Sequence, residues 1–189
     1  MKTNDRQLIE LMREVDSGAA QLPDFQRGWV WDDGRIRALI LSVIHNFPVG
    51  AAMFLEYGNE SIHFKYQPIE GSPAAPTVEP DELILDGQQR LTSLYNNALY
   101  SRNPVHTRTD KGKDIDRYYY LDIEKVLDPK ADDEEFVISV PASKKTTSDF
   151  GRKVDIDLST REQEFKLKMF TLNIILDTSE EQKLAERIL

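Results

Sequence analysis

Cysteine is absent from the sequence and histidine is scarce. The lack of cysteine excludes disulfides, thiolate metal sites and a cysteine nucleophile. The histidines, His45, His63 and His106, do not stand at the His-x-x-x-His spacing of zinc hydrolases, so a zinc centre is not expected. Any metal chemistry must therefore use carboxylates and other oxygen ligands.

Long apolar runs and a surplus of positive charge are also missing. No apolar run reaches the roughly eighteen residues of a membrane helix, and no apolar signal region begins the chain, so we expect a cytoplasmic protein without a membrane partner. The net charge of −9 argues against a broad DNA-binding face, because such faces need clustered lysine and arginine. Two small basic clusters remain, and solvated loops often have this pattern. They are Arg102, Arg108, Lys111 and Lys113, and Lys144, Lys145, Arg152 and Lys153.

Apolar periodicity predicts a mixed α+β fold in which a small mixed sheet is flanked by helices. Amphipathic helices are expected before Gly18 and after Asp32 and Asp33, and residues 21–31 between them look like a loop or a short extended piece. Residues 51–57 suit a buried strand, followed by a hairpin turn at Gly58-Asn59 into residues 62–66.

The second half of the chain predicts further strands and two closing helices. Residues 83–85 form a short apolar strand that leads into a helix from about Gln88, and strands are expected at 118–123 and 136–140. Capping boxes at Ser159 and Ser179 predict helices from about Thr160 and Glu180. The last helix stops in mid-pattern, so we expect the chain to continue into a further C-terminal part.

Asp86-Gly87-Gln88-Gln89-Arg90 is the most informative segment. A strand that ends in Asp, followed by Gly and a helix start, brings backbone N–H groups, two amides and a guanidinium to one point, which favours an anion. Gly87 allows close approach of the backbone, and Asp86 suits Mg²⁺ bound together with phosphates.

A structural turn is the alternative interpretation of this segment: Asp86 would cap the helix, and the Gln-Gln-Arg face would be merely solvated. The sequence contains neither a Walker A motif nor Gly-x-Gly-x-x-Gly, so P-loop and Rossmann sites are excluded.

Several segments in a fixed order carry a family resemblance. They are Leu22-Pro23-Asp24-Phe25-Gln26-Arg27, Trp31, residues 36–44, Pro48-Val49-Gly50, and Leu85 to Thr92. This succession resembles the N-terminal module of GmrSD-type type IV restriction and phage-defence enzymes. It is more distantly similar to the ParB/sulfiredoxin superfamily. The matching stretch covers about residues 21–100.

The resemblance implies nucleoside triphosphate (NTP) binding and hydrolysis at the Asp-Gly-Gln-Gln-Arg segment. Carried over to this sequence, Gln26 and Arg27 would lie across the pocket from residues 86–90, with Arg27 or Arg90 neutralising phosphate charge. Asp86 would organise Mg²⁺, and Gln88 or Gln89 would position water. Gly87 and Thr92 would contribute to the nucleotide site, and Pro48 and Gly50 would shape its base or ribose side.

The same resemblance suggests how the chain is organised. We interpret residues 1–100 as a ParB-like nucleotide-binding core, 101–158 as added strands and loops of the same domain, and 159–189 as a helical segment. The family's nuclease, of the His-Asn-His type, would be a separate C-terminal domain or partner subunit. The sequence has no such centre, so this piece is not expected to cut DNA.

Three functions follow as hypotheses. The first is an NTP-dependent regulatory module of a modification-dependent restriction enzyme, which meets modified DNA through the full-length enzyme. The second is a non-enzymatic module that recognises modified DNA with the same pocket or the basic loops. The third is a scaffold in which nucleotide controls formation of a homodimer.

Overall fold

The structure is a computed structural model that describes residues 5–58, 64–101, 103–109 and 111–174. The chain divides into two compact units, each built from two segments. The first unit comprises Met1–Trp29 and Gly50–Tyr95, and the second comprises Val30–Val49 and Asn96–Leu189. Helices and small sheets alternate in both, so the predicted α+β class is confirmed. No helix in the described ranges is long and apolar enough to cross a bilayer.

A four-stranded sheet forms the centre of the first unit. Its strands are β1 (Ala20–Pro23), β2 (Met53–Glu56), β3 (Tyr66–Gln67) and β4 (Glu82–Asp86), in the order β2-β4-β1-β3. Strand β4 pairs in parallel with β1 and antiparallel with β2. Because β4 lies inside the sheet, its two middle residues, Leu83 and Ile84, are fully buried. The strand therefore holds the backbone of Asp86, its last residue, in a fixed position.

Two helices complete the first unit. Helix α1 (Leu8–Ser17) buries Leu11, Met12 and Val15 and ends at Gly18, whose left-handed φ of 85° suits glycine. Helix α3 (Gln88–Ser93) follows β4 directly. The predicted start at Gln88 is confirmed, but the α-helix is short, because a π-helical turn at Leu94–Ala98 with a kink at Asn96 replaces the expected regular continuation.

Residues 20–23 form β1, a fully buried strand. For residues 21–23 the structure therefore decides between the two sequence interpretations, a loop and a short extended piece, in favour of the second. Polar Gln21 and ring-closed Pro23 hide the strand pattern. The structure accommodates Gln21 because its side-chain amide donates to the carbonyls of Gly18 and Val78 at 2.9 and 2.7 Å.

The predicted strand at 51–57 exists as β2, but the expectation that it is buried is wrong. It is an edge strand, and Met53 is 45% exposed. Strand β3 pairs with β1 rather than with β2, so a hairpin between β2 and β3 is not formed in the described residues. The predicted turn at Asn59 and the start of its second strand lie outside the described residues.

The second unit is built around a long strand, β6 (Asp114–Asp122), which pairs with β5 (Val105–Arg108), β7 (Val137–Pro141) and β10 (Met169–Thr171). The strands predicted at 118–123 and 136–140 correspond to β6 and β7. Strands β5 and β10 were missed because they are short and stand in polar surroundings.

Helix α2 (Asp33–Ile44) also belongs to the second unit. Asp32 caps it by accepting from the Arg35 amide at 2.9 Å. Asp33, the first residue of the helix, accepts from the hydroxyls of Tyr119 and Ser139, each at 2.9 Å. These bonds join the start of α2 to β6 and β7.

Two short helices and a hairpin complete the second unit. They are α4 (Ile123–Leu127), α5 (Arg161–Lys166), and a two-stranded sheet of β8 (Lys145–Ser148) and β9 (Lys153–Asp157). The predicted start of α5 is confirmed, although Thr160 rather than Ser159 is its cap, through the amide of Gln163. The helix predicted from Glu180 lies outside the described residues.

Candidate functional site

The turn at Gly87 directs the chain from β4 into α3. Gly87 has φ 97° and ψ 0°, in the left-handed region that other residues rarely adopt. A Cβ at this position would lie 3.1 Å from the Cβ of Ala52. Glycine is therefore required both by the backbone conformation and by the neighbouring segment.

Asp86 does not cap α3, as the structural-turn alternative would require. Gly87 is the N-cap residue, and it has no side chain with which to cap the helix. The Asp86 carboxylate is 71% exposed and faces the Arg90 guanidinium at 3.4 Å. This long contact leaves most of the carboxylate to solvent.

The residues 26–29, called here the 26–29 loop, lie along the end of β4 and the side of α3. The Gln26 amide donates to the carbonyls of Ile84 and Leu85 at 2.6 and 3.1 Å. The main chain of β1 pairs with β4 only as far as Gln21 and Leu83, and the Gln26 amide bonds the two carbonyls that follow on β4.

Helix α3 holds the 26–29 loop from its other side. The Gln88 amide donates to the Arg27 carbonyl at 2.9 Å, and the Gln89 amide donates to the Gly28 carbonyl at 3.4 Å. The Trp29 indole N–H donates to the Ser93 hydroxyl at 3.2 Å. Four consecutive residues of the loop are thus hydrogen-bonded to β4 or α3, which joins the two motifs singled out in the sequence.

The two arginines of the site have different surroundings. Arg27 is exposed, and its guanidinium has no hydrogen-bond or ion-pair partner within the described part of the chain. The Arg90 side chain is only 24% exposed and donates to the Ala51 carbonyl at 2.7 Å. Arg90 is therefore held in place, whereas Arg27 has a fixed main chain and a side chain directed to solvent.

Gly50 provides the room that Arg90 occupies. Its φ of 89° is left-handed, and a Cβ there would lie 2.1 Å from the Arg90 Nη1. Such a contact is impossible without movement of the guanidinium. Gly50 therefore leaves the room in which the Arg90 guanidinium lies, and its predicted shaping of the base or ribose side stays a prediction.

Thr92 and Pro48 are the remaining predicted residues. Thr92 is only 1% exposed, so its hydroxyl is directed away from solvent. Pro48 is exposed and belongs to the Val30–Val49 segment of the second unit. Their roles as nucleotide ligands stay predictions. The sequence did not indicate that Ser93 and the Ala51 carbonyl belong to the site, because neither a lone serine nor a main-chain oxygen produces a recognisable pattern.

A magnesium ion would find only limited protein ligands at this site. No group of three acidic or histidine side chains suited to a metal occurs among the described residues. One exposed carboxylate, that of Asp86, nevertheless fits the usual way in which Mg²⁺ is bound with nucleotides, through one or two carboxylates, waters and phosphate oxygens. The residues present therefore fit a metal that arrives with a nucleotide.

Comparison with known proteins identifies the family of the chain. A family model described as the N-terminal domain of the GmrSD restriction endonuclease matches residues 8–188. An uncharacterized protein of Methanocaldococcus jannaschii is 33% identical over 138 residues, which are 71% of this chain and 23% of that protein. The chain thus spans less than a quarter of that relative's length. The match over nearly all of its residues shows that the chain belongs to the family of GmrSD restriction endonuclease N-terminal domains.

Proposed function

We propose that this chain is an NTP-binding and NTP-hydrolysing regulatory module of a modification-dependent restriction enzyme, and that it controls DNA cleavage by a separate nuclease domain. The observation that carries the proposal is the hydrogen bonding of the 26–29 loop, at four consecutive residues, to β4 and α3. This arrangement brings a rigid main chain, two arginines, two amides and an exposed carboxylate into one region.

Arg27 is the residue that we assign to the nucleotide phosphates. Its carbonyl is fixed by Gln88, while its guanidinium is exposed. A planar guanidinium forms two parallel hydrogen bonds with a phosphate, and a fixed main chain lowers the entropy lost on binding. The sequence alone left Arg27 and Arg90 as equal candidates for this role.

Arg90 is assigned a positioning role. Its bond to the Ala51 carbonyl and its contact with Asp86 connect the segment before β2 to the end of β4. Its positive charge also lowers the repulsion between the Asp86 carboxylate and an approaching phosphate. Arg90 therefore supports phosphate binding by holding the shape and charge of the site.

Gln88 is assigned to the attacking water. Because its Nε2 donates to the Arg27 carbonyl, the orientation of its amide plane is fixed. The Oε1 of such an amide accepts a hydrogen bond from a water molecule and thereby orients it. Gln89, whose bond to Gly28 is longer at 3.4 Å, holds the loop.

Asp86 would hold Mg²⁺ together with the nucleotide phosphates. When bound, the metal would neutralise part of the negative charge that develops during phosphoryl transfer. The chain itself contributes the Asp86 carboxylate, which stands at the end of a buried strand. The contact with Arg90 limits the movement of this carboxylate.

The test is nucleotide binding and turnover with Mg²⁺ present, measured by calorimetry and by phosphate release for each common NTP. Arg27→Ala should weaken binding about tenfold to a hundredfold, because a charged hydrogen bond to phosphate is removed. Its melting temperature should not change, since the side chain is exposed. Arg27→Lys should restore part of the affinity, and Gln88→Ala should lower kcat more than it raises KM.

Arg13→Ala serves as the matched control, because Arg13 is an exposed arginine on α1 of the same unit. It should bind nucleotide like the unaltered chain. Equal binding by Arg27→Ala and the unaltered chain would contradict the assignment of Arg27. Failure of every NTP to bind the unaltered chain would contradict the proposed function itself.

A further inference from the structure

The turn that precedes the 26–29 loop is anchored at both ends. At its start, Pro23 is the last residue of β1, and the Asp24 amide donates to the Lys65 carbonyl, next to β3, at 3.0 Å. At its end, the main-chain N–H of Gln26 donates to the Pro23 carbonyl at 3.2 Å, and the Gln26 side chain is bonded to β4. The main chain of Phe25, which lies between these residues, is therefore held in place.

Phe25 presents an aromatic ring from this turn. The ring meets that of Phe64 edge to face, with centroids 5.2 Å apart and an interplanar angle of 71°. An edge-to-face pair uses at most one face of each ring, and Phe25 is 62% exposed. The contact with Phe64 therefore orients the Phe25 ring and leaves at least one of its faces for a flat ligand.

The position of Phe25 in the chain, rather than its exposure, indicates a role. A single exposed phenylalanine is common on protein surfaces and needs no explanation. Here, however, the Gln26 side chain is turned towards β4, and its two neighbours, Phe25 and Arg27, are both exposed. An oriented aromatic ring and the cation that we assign to the phosphates are thus one residue apart, in a segment that hydrogen bonds hold on both sides.

Trp29 is the other aromatic residue of this segment that could meet a nucleobase. It is half-buried, and its indole N–H donates to the Ser93 hydroxyl at 3.2 Å. The Trp29 ring is therefore used to hold the 26–29 loop on α3. Phe25 is the more exposed of the two and has no polar atom that needs a partner, so it is the better candidate.

We infer that Phe25 is the stacking platform for the base of the bound nucleotide, with the phosphates towards Arg27. This assignment rests on the proposed NTP-binding function and adds the part of the site that takes the base. Aromatic side chains stack on every base, because each base has a π face, so the platform accepts all common NTPs. Stacking strength then sets the preference and favours the larger purines over the pyrimidines.

The experiment compares three probes, ATP, CTP and inorganic tripolyphosphate, each titrated into the chain with Mg²⁺ present and followed by calorimetry. Tripolyphosphate offers the phosphates without a base or a sugar. Phe25→Ala should weaken ATP binding about fivefold to a hundredfold, since base stacking is removed, and should leave tripolyphosphate binding unchanged. Arg27→Ala should weaken the binding of all three probes. The unaltered chain should bind ATP more tightly than CTP, and Phe25→Ala should reduce this difference.

Further substitutions separate stacking from apolar contact and from folding. Phe25→Trp keeps an aromatic face and should retain ATP binding. Phe25→Leu keeps an apolar side chain without a π face, so it should weaken ATP binding nearly as much as Phe25→Ala, and it should melt like the unaltered chain because the position is exposed. Phe150→Ala removes a phenylalanine of the second unit that is 103% exposed, and it should leave the binding of every probe unchanged.

Three results would overturn the assignment of Phe25: equal ATP binding by Phe25→Ala and the unaltered chain, equal weakening of ATP and tripolyphosphate binding by Phe25→Ala, or full ATP affinity in Phe25→Leu. The first of these, found together with weakened binding by Arg27→Ala, would leave the NTP site in place and remove only the platform. Failure of the unaltered chain to bind any NTP would contradict the proposed function and the platform together.

Discussion

The polar centres of the two units differ in how completely their groups are satisfied. In the second unit, the Glu164 carboxylate is 3% exposed and accepts from the Tyr120 hydroxyl at 2.8 Å, while Arg161 and Lys144 lie at 3.2 and 3.4 Å. In the first unit, Arg27 and Asp86 are largely exposed around the hydrogen-bonded 26–29 loop.

This difference separates a stabilising centre from a candidate binding site. The Glu164 carboxylate, buried with three donors, has its bonding capacity used within the fold, which is what burial of a charge requires. The Arg27 centre uses its main-chain groups and amides for rigidity and leaves charged groups to solvent. A ligand can therefore be recognised there without breaking the fold.

The largest expected effect comes from removing the buried carboxylate. Glu164→Ala leaves the Tyr120 hydroxyl without its acceptor and two cations without their partner, so the free energy of unfolding should fall by about 2–3 kcal/mol. Urea denaturation measures this change. Glu162→Ala, at an exposed position of the same helix, should change stability by less than about 0.5 kcal/mol. An equal fall in stability in the two variants would remove the distinction between the centres.

A smaller effect on stability, but a specific one on the site, is expected for Gly50→Ala. The left-handed backbone should cost about 1–2 kcal/mol, and the new Cβ should displace the Arg90 guanidinium. Nucleotide binding should weaken more than the fall in stability alone explains. Calorimetric titration with NTP and Mg²⁺, under conditions where the variant is folded, tests this result.

Gly58→Ala is the matched control for Gly50→Ala. Gly58 has a similar φ of 86°, but no atom of the described residues lies within 4 Å of a Cβ built there. It should therefore show the same backbone cost without any effect on Arg90. If Gly58→Ala impairs nucleotide binding as much as Gly50→Ala does, the close approach to Arg90 is not the cause.

The smallest expected change in stability near neutral pH comes from the ionisation of the buried tyrosines of the second unit. Burial, followed by the nearby Glu164 carboxylate, raises the pKa of Tyr120, and burial with Asp33 raises the pKa of Tyr119. The unfolded chain then loses these protons first, at a pKa of about 10. Stability from these tyrosines is therefore full below that pH and is lost as the pH rises above it.

Denaturation between about pH 9 and 11, on either side of the ordinary tyrosine pKa, tests this prediction. Stability should fall with rising pH in the unaltered chain, and Tyr120→Phe should show a shallower fall. Slopes rather than absolute values are compared, because Tyr120→Phe also removes the hydrogen bond to Glu164. Identical slopes would show that ionisation of Tyr120 does not contribute to the fall in stability.

Much of the site could be predicted from sequence because its motifs are local. The turn at Gly87, the helix start at Gln88 and the family of the chain followed from adjacent residues. The different surroundings of Arg27 and Arg90 could not be predicted, since Arg90 is held by the Ala51 carbonyl, a main-chain atom from a distant segment. The hydrogen bond from Gln26 to β4 could not be predicted either, because its acceptor is a main-chain carbonyl of a distant strand.

The same limit applies to the fold: elements that depend on neighbouring residues could be predicted, and strand pairings between distant segments could not. Helices α1 and α2 follow an apolar period, so the sequence predicts them well. Strand β1 was left open between a loop and a short extended piece, because a buried strand that contains Gln21 and Pro23 has no such period, and its partners β3 and β4 come far later in the chain. The hairpin partner of β2 was wrong because turn residues indicate where a chain reverses, but not which strand it then joins.

By itself, the sequence determined the α+β class, most helix starts, the Asp86-to-Arg90 turn and the family, because local periodicity, capping and short motifs depend on neighbouring residues. The tertiary structure alone decided that Arg90 is held while Arg27 faces solvent, and that Glu164 is enclosed by its partners. Exposure and pairing depend on which distant groups come close, and that is fixed only when the chain has packed.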